Sequence, residues 1–115
     1  MEPMEQWERY AACWSMASTE RGNALHDVVD QVVTYRDPGT TVAGLVAFGE
    51  YMDSFGSAFP GARFVIDDVL CHHGRSLASW HQESADGTIT MHGWSCAIHS
   101  DDGRLSDITG FFPKP

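Results

Sequence analysis

Three short turn signals divide the second half of the chain, and they constrain its fold more than any other feature. Asp86-Gly87 and Asp102-Gly103 are strong hairpin signals, because Gly and Asp accept the positive φ values of two-residue turns. His73-Gly74 is a third candidate turn. Residues 63–72 form a β-branched and aromatic run, which favours a strand, and residues 76–84 form its partner. Three consecutive hairpins predict an antiparallel meander of four long strands.

The first half of the chain has helical spacing instead. Trp7, Tyr10 and Trp14 recur every three or four residues, which predicts a first helix over residues 3–17. The pattern then predicts a second helix, a strand and a third helix, over residues 22–30, 31–36 and 42–59. This order predicts a single α+β domain over residues 1–115, in which a curved sheet wraps around the helices.

The composition argues against several functional classes. The chain has 115 residues, 43% of them hydrophobic, and is long enough to bury one core. Its formal charge of −9 disfavours a nucleic-acid partner and an anionic substrate. No window has the roughly 18 apolar residues of a membrane span, so we expect no membrane partner. Three widely spaced cysteines, Cys13, Cys71 and Cys96, indicate reduced thiols and a cytoplasmic protein, and the sequence indicates no cofactor.

A turn at Asp86-Gly87 sets the pairing of the two strands that it joins. The pairs predicted on one face are Trp80–Gly93, Gln82–Met91 and Ala78–Ser95, and those on the other are His81–His92 and Ser79–Trp94. On the first face, small residues line up at Gly93, Ser95 and Ala97, as the wall of a cavity requires. A single bulge would exchange the two faces.

The opposite sheet face is too apolar to be left in water. Its predicted members are His92, Trp94, Cys96, Ile98 and Phe111. We therefore expect this face to bury against a second copy of the chain and form a homodimer.

Asp37 is the first candidate for chemistry. Proline disfavours helical geometry in the residue before it, so Pro38 holds Asp37 extended at the end of the predicted strand. Residues two apart share one face of a strand, which places Asp37 with Val33 and Tyr35. The carboxylate then either faces water and shapes a turn, or faces a pocket and takes part in chemistry.

The order of elements and a set of short motifs resemble a known family. The motifs are Tyr35-Arg36-Asp37-Pro38, Val42-Ala43-Gly44, Phe59-Pro60-Gly61, Asp67-Asp68-Val69, Trp80 and Asp101-Asp102-Gly103-Arg104-Leu105. Over essentially its whole length the chain looks like the nuclear transport factor 2-like superfamily, and within it like the SnoaL-like polyketide cyclases and the ketosteroid isomerase group. The resemblance implies a cone-shaped α+β fold with a hydrophobic cavity, commonly dimerised through the sheet. Function stays open, because such folds hold isomerases, cyclases, hydrolases, dehydratases and binders alike.

The resemblance also implies roles for individual residues. Asp37 matches the position of the general base in the ketosteroid isomerase group, and Tyr10 is the best match to the tyrosine that stabilises the oxyanion. A second oxyanion donor of that group, an aspartic acid, falls near Ser95, where a serine hydroxyl is a weaker donor. The resemblance therefore implies acid/base chemistry, without specifying steroid isomerisation.

We expect an apolar, cyclic or polyketide-like substrate that undergoes isomerisation, cyclisation or hydrolysis. The residues expected to bind it are Trp14, Tyr35, Met52, Phe55, Asp67, Trp80, Gln82, Met91 and Ser95. Asp67 joins this set as a second carboxylate if His73-Gly74 is the turn. Tyr10 and Trp14 are alternatively plain core aromatics. A non-catalytic binder of an apolar metabolite and a protein-interaction module are the competing functions.

Histidines are concentrated in the sheet half of the chain, at His72, His73, His81, His92 and His99. The chain has no HExxH or CxxC motif and no clear facial triad, so no metal site is predicted. We expect these side chains at an oligomer interface that responds to pH near their ordinary pKa.

Overall fold

A computed structural model describes residues 1–113 of the chain. The helices and strands of this part are, in order, α1 (Pro3–Cys13), α2 (Ser18–Val28), β1 (Val29–Asp37), β2 (Thr40–Ala43), α3 (Leu45–Ala58), β3 (Arg63–His72), β4 (Arg75–Glu83), β5 (Ile89–His99) and β6 (Leu105–Phe111). The strands form one curved, unclosed sheet in the order β2-β1-β6-β5-β4-β3, and the helices pack against it. The predicted α+β class is confirmed.

The strand β2 was not predicted, and the third helix starts later than expected. Thr40 pairs with Asp37 and Val42 pairs with Tyr35, so the segment that follows Pro38 returns along β1 as a short hairpin. Gly44 then adopts a φ of 89°, which a residue with a side chain rarely accepts, and α3 begins after it. Residues 42 and 43 therefore continue a strand instead of starting a helix.

The meander is antiparallel as predicted, whereas one neighbour of β1 is parallel to it. β3, β4, β5 and β6 pair with antiparallel neighbours, but β1 lies parallel to β6. Only a long connection can join parallel neighbours, and here β2, α3, β3, β4 and β5 lie between the two strands. No turn signal marks such a contact, so the sequence did not predict which strands β1 pairs with.

The predicted register of β4 and β5 is confirmed. Trp80 lies opposite Gly93, and Ala78 lies opposite Ser95. Ala78, Trp80 and Ser95 are all buried, so this face is the concave one that packs toward the helices. Bulges interrupt the ladders. The register shift between β4 and β5 lies between Gln82 and Glu83, after the last of the predicted pairs.

Buried polar contacts join the three helices. Arg21 in α2 is only 4% exposed. Its guanidinium donates hydrogen bonds of 2.8–3.0 Å to the carbonyl oxygens of Cys13, Met16 and Gly49 and to Asp53 Oδ1. Because these acceptors come from the end of α1, the loop after it and α3, one side chain fixes all three helices. Burial around this contact raises the pKa of the Cys13 thiol to about 11, so it stays protonated.

None of the helices in residues 1–113 has the length and apolar run that crossing a membrane requires.

Trp80 lies flat across the sheet because its cross-strand neighbour is a glycine. A Cβ atom on Gly93 would stand 2.5 Å from Trp80 Cη2 and 2.9 Å from the carbonyl oxygen of Phe111. The indole Nε1 donates a hydrogen bond of 3.0 Å to Ser95 Oγ, and this fixes the ring in the plane of the sheet. One face of the indole is thus covered by backbone.

Replacing Gly93 with Ala is expected to destabilise the fold. The methyl group would push the indole off the sheet, and overpacking of this kind costs about 1–3 kcal/mol of unfolding free energy. Urea denaturation followed by circular dichroism measures the change. The matched control is Gly56→Ala in α3, where an added Cβ meets nothing within 4 Å and Ala is favoured by about 0.5–1 kcal/mol. Wild-type stability in Gly93→Ala would contradict the close packing of Trp80.

Candidate ligand pocket and active site

A pocket of about 490 Å³ lies between the concave face of the sheet and helices α1 and α3. Among the described residues, ten of the twenty that line it are aromatic, and one carries a formal charge. The charged residue is Asp37, which lies at the end of β1. Pockets of this size suit a small organic molecule.

Three donors hold the Asp37 carboxylate. Its Oδ2 atom accepts hydrogen bonds of 2.8 Å from the hydroxyls of Tyr35 and Tyr51. Its Oδ1 atom accepts the backbone N–H of Gly39, also at 2.8 Å. Tyr35 belongs to β1 and Tyr51 to α3, so the carboxylate joins sheet and helix at the pocket wall. Asp37 shapes the turn and also faces the pocket, which combines the two alternatives that the sequence left open.

The tyrosines of the pocket stay protonated. Burial raises the pKa of Tyr10, Tyr35 and Tyr51 far above the ordinary value of 10.0, and the negative charge of Asp37 adds to each shift. A phenol with a raised pKa is a hydrogen-bond donor at every pH at which the protein works. Tyr10 is 5% exposed and borders the pocket from α1. Its hydroxyl can donate a hydrogen bond to a ligand oxygen there.

A second polar point lies beside the carboxylate, above Gly110 of β6. A Cβ atom on Gly110 would stand 3.6 Å from Tyr35 Oη, 3.7 Å from Asp37 Cβ and 3.7 Å from Ser95 Oγ. Because Gly110 has no side chain, these three residues border one open space. Ser95 Oγ accepts the indole N–H of Trp80, so its own hydroxyl hydrogen can point elsewhere.

Most of the residues predicted to bind a ligand lie at this pocket. They are Tyr10, Trp14, Tyr35, Asp37, Phe55, Trp80, Gln82, Met91 and Ser95. Met52 does not line it, because its side chain points into the core and is fully buried. Met52 and Phe55 are three residues apart on α3, yet only Phe55 reaches the pocket.

Asp67 does not line the pocket either. A bulge between Ile66 and Asp68 adds one residue to β3, and Asp67 turns to the outer face of the sheet. There it bonds His81 Nδ1 at 2.9 Å, while His81 Nε2 bonds Glu83 Oε2 at 2.9 Å. The expectation that Asp67 shares the face of Trp80 was wrong because it assumed an unbroken ladder.

Sequence reasoning missed Tyr51, the second phenol on Asp37. The signal was present, because Tyr51 is three residues after Phe48 and four before Phe55, which is helical spacing. Phe64 and Phe112 were also missed as pocket residues. Phe112 directly follows β6, and its ring centre lies 6.0 Å from that of Trp80. No local sequence pattern predicts this contact.

The outer histidines form no metal site in the described part of the chain, where no group of three or more suitable side chains is found. His81 is instead held between two carboxylates. Because a carboxylate only accepts hydrogen bonds, both ring nitrogens of His81 carry hydrogen in this geometry. The hydrogen bond to Glu83, followed by that to Asp67, raises the pKa of His81 above its ordinary 6.5.

The structure thus combines a curved α+β sheet over helices with an aromatic pocket, and Asp37 supplies the one carboxylate among the described lining residues. The chain belongs to the SnoaL-like domain family, whose model matches residues 7–108. The resemblance drawn from its motifs is thereby confirmed. None of the curated proteins searched matches the chain.

Solved structures share the fold at low sequence identity. A SnoaL-like family protein from Agrobacterium tumefaciens, provisionally named an isomerase, is 22% identical with a TM-score of 0.88 and 96% of each chain covered. A provisionally named polyketide cyclase from Sinorhizobium meliloti is 14% identical, with a TM-score of 0.73 and coverage of 92% of this chain and 93% of that one. A provisionally named SnoaL-like polyketide cyclase from Jannaschia is 11% identical, with a TM-score of 0.74 and coverage of 97% of this chain and 89% of that one. These likenesses show the fold alone.

The raised pKa of His81 makes stability depend on pH. Between the unfolded value near 6.5 and the raised folded value, the folded state keeps a proton that the unfolded state has lost. The stabilising contribution is therefore complete below about pH 6.5 and is lost as pH rises through the folded pKa. We expect the unfolding free energy to fall across this window, and His81→Gln to flatten that fall.

Urea denaturation at several pH values from 5.5 to about 8.5 measures the effect. His92→Gln is the matched control, because His92 faces His81 across the strands without touching either carboxylate in the described hydrogen bonds. The same pH slope in wild type and His81→Gln would contradict the assignment.

Proposed function

We propose that the protein is a small-molecule enzyme of the SnoaL and ketosteroid isomerase type, which performs acid/base chemistry on an apolar, cyclic or polyketide-like substrate. The observation that carries the proposal is the single carboxylate of Asp37 at the wall of an aromatic pocket, close to protonated tyrosines. Isomerisation, cyclisation and hydrolysis all use a base beside a polarised oxygen. The provisional names of the neighbouring structures, an isomerase and polyketide cyclases, support this class.

In the proposed mechanism, the Asp37 carboxylate takes a proton from the carbon next to a substrate carbonyl, or from a water. The electron pair of the broken C–H bond moves to the carbonyl oxygen, which becomes an enolate. Tyr10 donates a hydrogen bond to this oxygen, and Ser95 has a hydroxyl hydrogen left for the same purpose. The proton returns from Asp37 to another carbon to complete an isomerisation. Alternatively, the enolate carbon attacks a second carbonyl carbon of the substrate, whose oxygen receives the electron pair and takes the proton from Asp37, and a ring closes.

Non-catalytic binding of an apolar metabolite is the second candidate, and one observation favours it. The three donors on Asp37 already occupy lone pairs on both carboxylate oxygens. A proton arriving from a substrate must compete with these donors, so the carboxylate can anchor a ligand without reacting. A protein-interaction module agrees less well, because it predicts a filled interior and the pocket has a volume of about 490 Å³.

A homodimer through the outer face of the sheet is part of the proposal. Trp94 is 52% exposed, Phe111 is 56% exposed and Ile98 is 46% exposed, and all three lie on neighbouring positions of that face. An apolar group of this kind is costly to leave in water. His81 and His92 lie on the same face, so a pH-dependent interface also stays a prediction.

Replacing Asp37 with Asn should abolish catalysis while preserving the pocket. A direct measurement is exchange of the α-protons of 2-tetralone, a bicyclic ketone, in D2O followed by NMR. Loss of the base is expected to slow enzyme-catalysed exchange by about 10²–10⁴-fold, and Tyr10→Phe to slow it by about 10²–10³-fold. Met52→Leu, a volume-conserving change in the core, is the control and should exchange as the wild type does.

Two results would decide between the candidate functions. Exchange at the wild-type rate in Asp37→Asn removes this residue from the mechanism. Binding of 2-tetralone by the wild type, seen as a change in tryptophan fluorescence, without any catalysed exchange supports the binder instead.

Replacing Trp94 with Glu should convert the dimer to a monomer, because it puts a charge at the centre of the apolar sheet face. Sedimentation velocity of both proteins at equal concentration measures the change. Val46→Glu is the matched control, since Val46 is 81% exposed and lies on α3, away from that face. A wild-type chain that sediments as a monomer would refute this interface.

A further inference from the structure

Among the described residues that line the pocket, none is Lys, Arg or His, so none of them gives the negative charge of Asp37 a cationic partner. The hydrogen bonds that Asp37 accepts from described residues come from neutral dipoles, those of the Tyr35 and Tyr51 hydroxyls and the Gly39 amide. By contrast, Arg36 on the same strand pairs with Asp107 at 2.7 Å, outside the pocket. A carboxylate whose partners are neutral dipoles still attracts a positive charge.

The two tyrosines that bond this carboxylate belong to a cluster of aromatic rings. The ring centre of Trp14 lies 5.6 Å from that of Tyr35 and 5.8 Å from that of Tyr51, and the two tyrosine rings are 5.8 Å apart. Both tyrosines touch Asp37 through their hydroxyls. The faces of such rings are negative, so a cluster of them beside a carboxylate favours a cation over a neutral group.

The carboxylate remains accessible from the pocket. Gly39 and Gly110 flank it, and neither has a side chain to cover it: a Cβ atom on Gly39 would stand 3.5 Å from Asp37 Oδ1. Oδ1 accepts one hydrogen bond in the described structure, from the Gly39 amide, whereas Oδ2 accepts two. A carboxylate oxygen has two lone pairs, so Oδ1 keeps one for a ligand.

We propose that the pocket takes an apolar molecule that bears a positively charged nitrogen, a protonated amine or a quaternary ammonium, seated against Asp37 and the rings of Trp14, Tyr35 and Tyr51. This ligand class rests on the proposed function, in that it assigns a substrate or metabolite to the same site. The apolar part of the molecule lies over the exposed face of Trp80, whose other face is covered by Gly93. The net charge of −9 raises the local concentration of such a cation.

Three probes of the same shape and different charge test the proposal. Benzyltrimethylammonium is the cation, neopentylbenzene is its neutral isostere, and phenylmethanesulfonate is an anion of similar size. Binding is measured by tryptophan fluorescence and confirmed by calorimetry at a fixed pH. We expect the cation to bind about tenfold or more tightly than the neutral isostere, and the anion to bind most weakly.

Two variants separate the pocket charge from the charge of the whole protein. In Asp37→Asn the preference for the cation should fall to about threefold or less, while the neutral isostere binds as before and so shows that the pocket is intact. Asp101→Asn removes the same charge from an exposed turn and should keep the full preference. A preference that survives in Asp37→Asn would overturn the proposal.

The outcome also separates this inference from the proposed function. Equal or tighter binding of the neutral isostere refutes the cationic ligand and leaves an apolar pocket with a base. Failure of all three probes to bind refutes the ligand class and counts against small-molecule binding at this pocket. Catalysed exchange of 2-tetralone is measured independently and does not depend on either result.

Discussion

The close approach of the Trp80 indole to the backbone of Gly93 is the contact on which the rest of this molecule depends. Any larger residue at position 93 would lift the ring into the space that now forms the pocket. Ser95 completes the arrangement, because its hydroxyl accepts the indole N–H and so fixes the ring against the sheet. The same small residues that leave the concave face hollow therefore give it an apolar floor. A filled core would be more stable, since unfilled volume forfeits packing contacts.

Asp37 adds a charged group to that hollow. A carboxylate at an aromatic wall is costly unless hydrogen bonds compensate it, and here Tyr35, Tyr51 and the Gly39 amide donate such bonds. The donors come from β1, from α3 and from the turn after Pro38, so the charge also ties the helix to the sheet. Fixation and reactivity oppose each other at this point, because a lone pair that accepts a hydrogen bond from the protein is not free to take a proton. That opposition links the catalytic proposal to the binding alternative and to the cationic ligand.

Sequence patterns predicted those parts of the structure that local rules control. The turn signal at Asp86-Gly87 predicted the pairing of Trp80 with Gly93. This pairing holds because a bulge after Gln82 offsets a longer loop, in which Ser84 bonds Thr88. The concave face followed from alternation along the strands. Contacts between distant segments were not predicted, because nothing in the sequence of a strand indicates its distant neighbour. The parallel pairing of β1 with β6 is an example. The prediction for Asp67 was wrong for a different reason. A bulge adds one residue to the strand and turns the side chain to the other face, and the amino-acid composition does not indicate where a bulge lies. Candidate site residues on the inner face of β4 and β5 were therefore better predicted than those on β3 and α3.

The alternation of side chains along β5 also links the proposed ligand pocket to the proposed dimer surface. Along β5, Gly93 and Ser95 lie on the concave face while Trp94 and Cys96 face outward, so each residue of the concave face has a neighbour on the apolar outer face. A slip of one residue would bury the wrong set, and the register shifts in these ladders lie away from the centre of β5, at Gln82 and Glu83 and near His99. Covering the outer face with a second chain would hold the centre of β5 in this register. An interface on one side of the sheet would thus help to keep the wall of the pocket in place on the other.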